Sequence, residues 1–162
     1  MADLFDADLG SAAPAEAVPL AERIRPASLG EIIGQEHLTG PEGPIGRMVA
    51  AGRLSSLVLW GPPGTGKTSI ARLLAEAASY RFVPLSAVFS GVADLKKVFA
   101  EAEVQARMGH RTLLFVDEIH RFNRSQQDGF LPFVEAGIVT LVGATTENPS
   151  FELNAALLWR CQ

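Results

Sequence analysis

The 162-residue chain has one cysteine, three histidines and no excess of positive charge. Each scarcity excludes something. A single thiol, Cys161, can neither close an internal disulfide nor build a multi-cysteine metal site, and it suits a reducing compartment. The histidines (His37, His110 and His120) are scattered without metal-ligand spacing. Lys and Arg number 14 against 18 Asp and Glu, for a net charge of −4. That balance argues against a globally basic DNA-binding module and leaves room for a local basic patch. No apolar run approaches the roughly 18 residues of a membrane span, so no membrane partner is expected. The first ten residues, MADLFDADLG, carry acids where a secretory signal needs positive charge before an apolar stretch, which makes cytoplasm the expected compartment. With 48% hydrophobic and 20% charged residues, the chain has the composition of an ordinary globular protein. Its length allows a single core.

Residues 1–18, rich in Ala, Pro and acids without periodicity, are expected to form a disordered tail. The Leu4-Phe5 pair within it suits either a short docking peptide or a frayed terminus. A folded domain is expected over 19–162. No internal repeat is present. A helix over Ile45–Ala51 should stop at Gly52. Beyond it, short apolar runs alternate with helical patterns. Ser56–Trp60, Phe82–Leu85, Leu113–Val116 and Val139–Val142 read as strands, the second irregular or at an edge because of Pro84. Lys67–Ser79, Val92–Ala102 and Ser125–Ala136 read as helices, the last with Ser125 as its N-cap and Asp128 three residues on. Asn154–Trp159 is expected to begin another. Continuous apolar strands separated by amphipathic helices predict an α/β fold, a parallel sheet with helices on both faces.

Gly61-Pro62-Pro63-Gly64-Thr65-Gly66-Lys67-Thr68 matches the pattern G-x-x-x-x-G-K-[ST] and lies between an expected strand and an expected helix, as a P-loop requires. The glycines let successive backbone N–H groups turn inward onto phosphate oxygens. The helix N-terminus adds partial positive charge. Lys67 supplies a point charge for the β- and γ-phosphates, and the Thr68 hydroxyl is placed to coordinate Mg²⁺. A plain glycine-rich turn would need neither of them.

Asp117-Glu118 follows four apolar residues and begins 50 residues after Lys67. In a parallel sheet both motifs emerge at the carboxyl edge, where ligands bind. Asp117 would hold Mg²⁺, mainly through its waters. Glu118 would orient and polarise the water that attacks in ATP hydrolysis. Thr146, in the polar run Thr145-Thr146-Glu147-Asn148, is a candidate to place a hydroxyl near the γ-phosphate, or else a turn-capping threonine.

These features, with Phe115–Asn123, Ser125–Asp128, Gly143–Asn154 and Ala156–Cys161, make the chain resemble an AAA+ ATPase. The resemblance is close to the replication-associated recombination protein A group, relatives of clamp loaders and of the Holliday-junction branch-migration motor. It covers about Pro19 to Cys161 and implies a DNA-dependent ATPase acting at stalled forks or single-strand gaps, with ATP and Mg²⁺ as cofactors. It further implies a homo-oligomeric ring, association with the nucleoid, and single-strand-binding protein or sliding-clamp machinery as partners. By resemblance, Arg160 is the arginine that reaches a neighbouring subunit's γ-phosphate, although Trp159 stands where clamp loaders have Ser. Pro26, Ile32, Ile33 and Gly34 resemble the segment lining the adenine pocket, and Ser86 a polar switch that holds the catalytic glutamate away from water. The family continues into a fifth strand and a helical lid, so the chain is expected to be truncated before that lid and to hydrolyse little alone. Two alternatives stay open: a clamp-loader or branch-migration subunit, and a nucleotide-gated interaction module without turnover.

Of the remaining residues, Arg121 and Arg124 suit either DNA phosphate contacts or a plain surface. Lys96 and Lys97 read as a solvated face, and Trp60 as packing. His120 could link the acidic pair to a neighbour or make a purely structural hydrogen bond.

Overall fold

The computed structural model describes residues 19–162, so the expected tail with its Leu4-Phe5 pair lies outside the described residues. Helices α1 (Leu20–Arg23), α2 (Glu36–Thr39) and α3 (Pro44–Ala51) precede the first strand, β1 (Leu57–Trp60). Then come α4 (Lys67–Ala77), β2 (Arg81–Ser86), α5 (Val92–Arg107) and β3 (Thr112–Asp117). The chain continues through α6 (Arg124–Asp128), α7 (Leu131–Glu135), β4 (Val139–Thr145), α8 (Pro149–Glu152) and α9 (Ala155–Leu158). Two 3₁₀ turns, Leu29–Glu31 and Ile119–Arg121, complete the described elements.

The strands form one parallel sheet in the order β1-β4-β3-β2. Both apolar central strands, β3 and β4, are covered on two sides, and every residue of β3 except Asp117 is buried. Alternation along the strands divides the core. Leu57, Leu59, Leu113, Phe115, Val142 and Ala144 pack with α3 and α4. Leu114, Val116, Val139 and Leu141 face the opposite way and pack with Leu95 and Phe99 of α5, with Phe130, and with Leu157 of α9. Phe99 stacks on Phe133 at 4.1 Å between ring centres and meets Phe130 edge-on at 5.5 Å. The expected α/β sheet with helices on both faces is the fold found.

Pro84 does lie on an edge strand, because among the described residues β2 pairs only with β3. At the other flank, Gln162 donates its N–H to the Ser56 carbonyl at 2.9 Å and accepts from the Val58 N–H at 2.9 Å. The register aligns Ser86 with Asp117, Val116 with Gly143 and Trp60 with Thr145. All four carboxyl ends therefore share one edge of the sheet. Their starts, Leu57, Arg81, Thr112 and Val139, share the other.

Some boundaries differ from the expected ones. The single helix over Ser125–Ala136 is two helices, α6 and α7, with Pro132 in the first turn of the second, where its missing N–H costs no bond. Ser125 is not the N-cap. Asn123 is, since its side chain accepts from the Gln126 N–H at 2.8 Å while Gln126 Oε1 accepts from the Asn123 N–H at 3.0 Å. That reciprocal box sits two residues earlier than the expected one. The expected Lys67–Ser79 helix ends at Ala77, because Ser79 takes a left-handed φ of 59°. Strand β4 runs past Val142 to Thr145, carried by small residues that continue the ladder. At Gly143 a Cβ would stand 3.1 Å from Ile119 Cδ1 and 3.2 Å from its Cγ2. The glycine lets the turn after β3 close down on β4.

Candidate phosphate-binding site

The loop between β1 and α4 is anchored at its start by the Gly61 N–H, which donates to the Thr145 carbonyl at 3.2 Å. It then curls through two left-handed glycines, Gly64 (φ 77°) and Gly66 (φ 86°). A side chain at either would be strained, and glycine alone adopts this curl at little cost. Gly66 is the N-cap of α4, whose 11 residues direct a helix N-terminus at the hollow of the loop. The Thr65 hydroxyl donates to the Pro62 carbonyl at 2.9 Å and closes the turn. Lys67 Nζ donates to the carbonyls of Gly61 at 2.7 Å and Pro62 at 2.8 Å.

A cavity of about 700 Å³ opens over this loop. Pro63, Gly64, Thr65, Gly66, Lys67, Thr68 and Ser69 form one wall, Asp117, Glu118 and Thr146 another, and Ile24 a third. The parallel register accounts for the meeting, because the ends of β1, β3 and β4 are neighbours. Gly61 and Pro62 lie beside the cavity as acceptors for Lys67 and do not line it.

Asp117 Oδ1 accepts from the Glu118 N–H at 3.0 Å. Glu118 is one of two described non-glycine residues with positive φ, at φ 54° and ψ 42°. This conformation turns the chain sharply off β3 and carries the side chain to the cavity. Its Oε2 lies 3.5 Å from His120 Nε2 and 3.6 Å from Arg121 Nε. His120 Nδ1 is 2.8 Å from the hydroxyl of Thr145, which is buried.

The residues fit a magnesium-bound nucleoside triphosphate. Backbone N–H groups around two left-handed glycines, a lysine and a helix N-terminus supply positive potential on one wall. Thr68 and Asp117 face the same cavity and would supply two oxygen ligands to an ion that keeps several waters. Among the described residues no group of three His, Cys, Asp or Glu could cage a metal.

Other expected site residues lie elsewhere. Ile33 is 92% exposed, and neither it nor Gly34 lines the cavity. Glu36's own backbone N–H, and after it the Gly34 N–H that donates to Glu36 Oε1 at 3.1 Å, hold that carboxyl below its ordinary value. Ile32 is the buried member of the segment, packed in the core with Ile45 and Met48. The Pro26 carbonyl accepts from Arg72 at 3.1 Å. Ser86 ends β2 opposite Asp117. Arg160 follows α9, is paired with Glu135 at 2.8 Å, and does not line the cavity. Arg121 is turned to Glu118, and the Arg124 carbonyl accepts from the Asn154 side chain at 2.9 Å. Sequence reasoning missed Ile24 and Thr145. Nothing periodic marks Ile24, but Thr145 was recoverable by extending the alternation of β4 two residues beyond Gly143.

A family model, the ATPase family associated with various cellular activities (AAA), matches residues 57–162. The chain belongs to the AAA family. It is 53% identical over 144 residues to the replication-associated recombination protein A of Escherichia coli strain K12, covering 89% of this chain and 32% of that protein. It is 49% identical over 144 residues to the Dictyostelium discoideum protein named ATPase WRNIP1, covering 89% of this chain and 16% of that one. Among solved structures, the Thermotoga maritima RuvB Holliday junction branch migration motor matches with a TM-score of 0.66 at 29% identity, covering 85% of this chain and 46% of the other. The chain thus spans at most about a third of the length of these curated relatives. This AAA domain accordingly has the α/β P-loop fold of its relatives. Among its described residues no helix is long and apolar enough to cross a membrane.

Proposed function

We propose that this AAA domain, residues 19–162, binds ATP with Mg²⁺ and hydrolyses it in the service of DNA replication and recombination. One observation carries the reading: Lys67, Thr68, Asp117, Glu118 and Thr146 line a single cavity over a glycine loop. Bound Mg²⁺ would neutralise phosphate charge as the γ-phosphoryl group leaves. The chain's own residues do the rest. Lys67 exchanges its bonds to the Gly61 and Pro62 carbonyls for phosphate oxygens, moving one ammonium a short distance within the loop. Thr68 and Asp117 would hold the metal, Asp117 mainly through its waters. Glu118 accepts a hydrogen bond from the attacking water and polarises it, and Thr146 donates to the γ-phosphate.

Arg160 would act on a neighbour in a homo-oligomer. Its bond to Glu135 joins two half-exposed side chains, so exchanging it for a phosphate is inexpensive. The names of two relatives, replication-associated recombination protein A and the RuvB Holliday junction branch migration motor, support a role in recombination. In this reading the partner is DNA at a fork or single-strand gap, and the work is done in the cytoplasm at the nucleoid. Single-strand-binding protein or sliding-clamp machinery would then be neighbours in the same work.

Calorimetry with Mg²⁺-ATP and phosphate release with and without single-stranded DNA test the proposal. Lys67→Ala should abolish binding. Glu118→Gln should bind and fail to release phosphate. Single-stranded DNA should stimulate release in a protein of the relatives' full length. Binding without release in the full-length protein would instead make the domain a nucleotide-gated interaction module.

A further inference from the structure

We infer that His120, with its ring tautomer set by Thr145, positions the Glu118 carboxylate for hydrolysis; this deepens the ATPase reading and rests on it. The argument begins at a buried hydroxyl. Thr145 is 1% exposed, and its Oγ1 accepts the Glu147 N–H at 3.0 Å. Its single proton has two acceptors within reach, His120 Nδ1 at 2.8 Å and the Glu147 carbonyl at 3.3 Å. In the inferred arrangement that proton lies in the shorter contact. Nδ1 is then the accepting nitrogen, and a neutral ring carries its proton on Nε2.

That N–H faces Glu118 Oε2 at 3.5 Å. At this distance the contact is a directed electrostatic one rather than a short hydrogen bond. Arg121 Nε approaches the same oxygen at 3.6 Å, but its side chain is 63% exposed whereas that of His120 is 9% exposed. Solvent screens the arginine, so the fixed direction comes from the buried histidine. Both cationic or donor groups engage Oε2, and Oε1 has no protein partner among the described residues.

Two further features fix the ring. The turn that carries Glu118 and His120 is packed against β4 through Ile119, whose side chain lies 3.1–3.2 Å from where a Gly143 Cβ would stand. Thr145 directly precedes Thr146 in the wall of the phosphate cavity. A displacement of that strand end is therefore passed through one hydroxyl and one ring to the group that activates water. His120 is a positioning residue and touches no substrate.

The test has two arms. In the 162-residue chain, ¹⁵N-labelled at histidine and studied by long-range ¹H–¹⁵N NMR at pH 8, His120 should show the Nε2–H tautomer. Thr145→Val should convert it to a mixture. An Nδ1–H ring in the unaltered chain overturns the inference. In the second arm, single-turnover ATP hydrolysis is followed in this chain and in a protein of the relatives' full length. His120→Ala and His120→Asn should lower the saturating rate about tenfold at unchanged half-saturating ATP, a fraction of the 10²–10⁴ that a general base supplies. His120→Gln, whose amide nitrogen reaches the place of Nε2, should recover most of it. An Asn variant as active as the Gln variant, or an Ala variant as active as the unaltered protein, shows that the ring is only structural. Should His120→Ala fail to fold, the rate of His120→Gln against that of His120→Asn decides alone, and equal rates overturn the inference. If Glu118→Gln hydrolyses ATP normally, the ATPase reading itself fails, whereas a failure confined to the His120 variants leaves that reading standing.

Discussion

Replacing Glu118 with glycine should end hydrolysis and make the domain more stable than Glu118→Gln does. Glu118 holds φ 54° and ψ 42°, a left-handed conformation that costs a residue with a side chain about 1–2 kcal/mol. Glutamine keeps that strain and removes the charge. Glycine removes both, but its freer unfolded chain offsets about 0.4–1 kcal/mol of the gain. The contacts with His120 and Arg121 are lost or weakened in both variants, and at 32% exposure for the carboxylate they contribute less than about 1 kcal/mol. The expected advantage of glycine over glutamine is therefore about 0–1.6 kcal/mol, centred at about 0.8, and that centre is roughly 2–3 °C in melting temperature for a domain of this size. Thermal and urea unfolding of the two variants side by side measure it, with coincident transitions as the check on two-state behaviour. Ser79→Gly is the control: at φ 59° and remote from the cavity, it should gain similar stability with hydrolysis unchanged. A glycine variant less stable than the glutamine variant would refute the strain argument.

Three further outcomes are expected. Gly143→Ala should destabilise by about 1–3 kcal/mol and slow hydrolysis, because the new methyl meets Ile119 at 3.1–3.2 Å and pushes the turn bearing Glu118; unchanged melting and rate would contradict the packing. Gln127→Leu should cost about 3 kcal/mol in chemical unfolding, since buried Gln127 donates to the Phe122 carbonyl at 2.9 Å and the Glu152 carbonyl at 3.1 Å and accepts the Asn154 N–H at 2.8 Å. Burial pushes the Cys161 thiol up from about 9.0 to about 11, so its alkylation in the folded chain should stay slow to near pH 11 while the unfolded chain reacts from about pH 9. The sign follows: the neutral thiol's contribution to stability is fully present below pH 9 and is lost as pH rises towards 11.

The sheet and the phosphate loop were legible because buried parallel strands are written as unbroken apolar runs, and because the loop's chemistry confines it to few residue types. Leu57–Trp60 and Thr112–Asp117 left little choice of period. The region after Asp117 was harder to read. Ser125 with Asp128 and Asn123 with Gln126 both offer a capping pair at the same spacing, and only tertiary placement decides between them. Gln127 looks like a surface residue within a polar run, yet it is buried and joins α6 to the segment around α8 and α9. Thr145 and Thr146 are adjacent and chemically equal, so their division between a buried ring contact and the cavity wall depends on where β4 ends. Ile33 carries no periodic signal, and its exposure follows from the path of a loop.

Because the four strands run one way, their chemistry gathers at one rim and the opposite rim is left to mechanics alone. There the Arg81 N–H meets the Arg111 carbonyl at 2.8 Å, and the Arg111 guanidinium lies 5.7 Å from the centre of the Tyr80 ring. A dye or short peptide grafted at Gly109-His110 should therefore report unfolding while staying silent to ligand, whereas the same graft at Glu147 would jam the machinery. The rear rim is where this domain tolerates a handle.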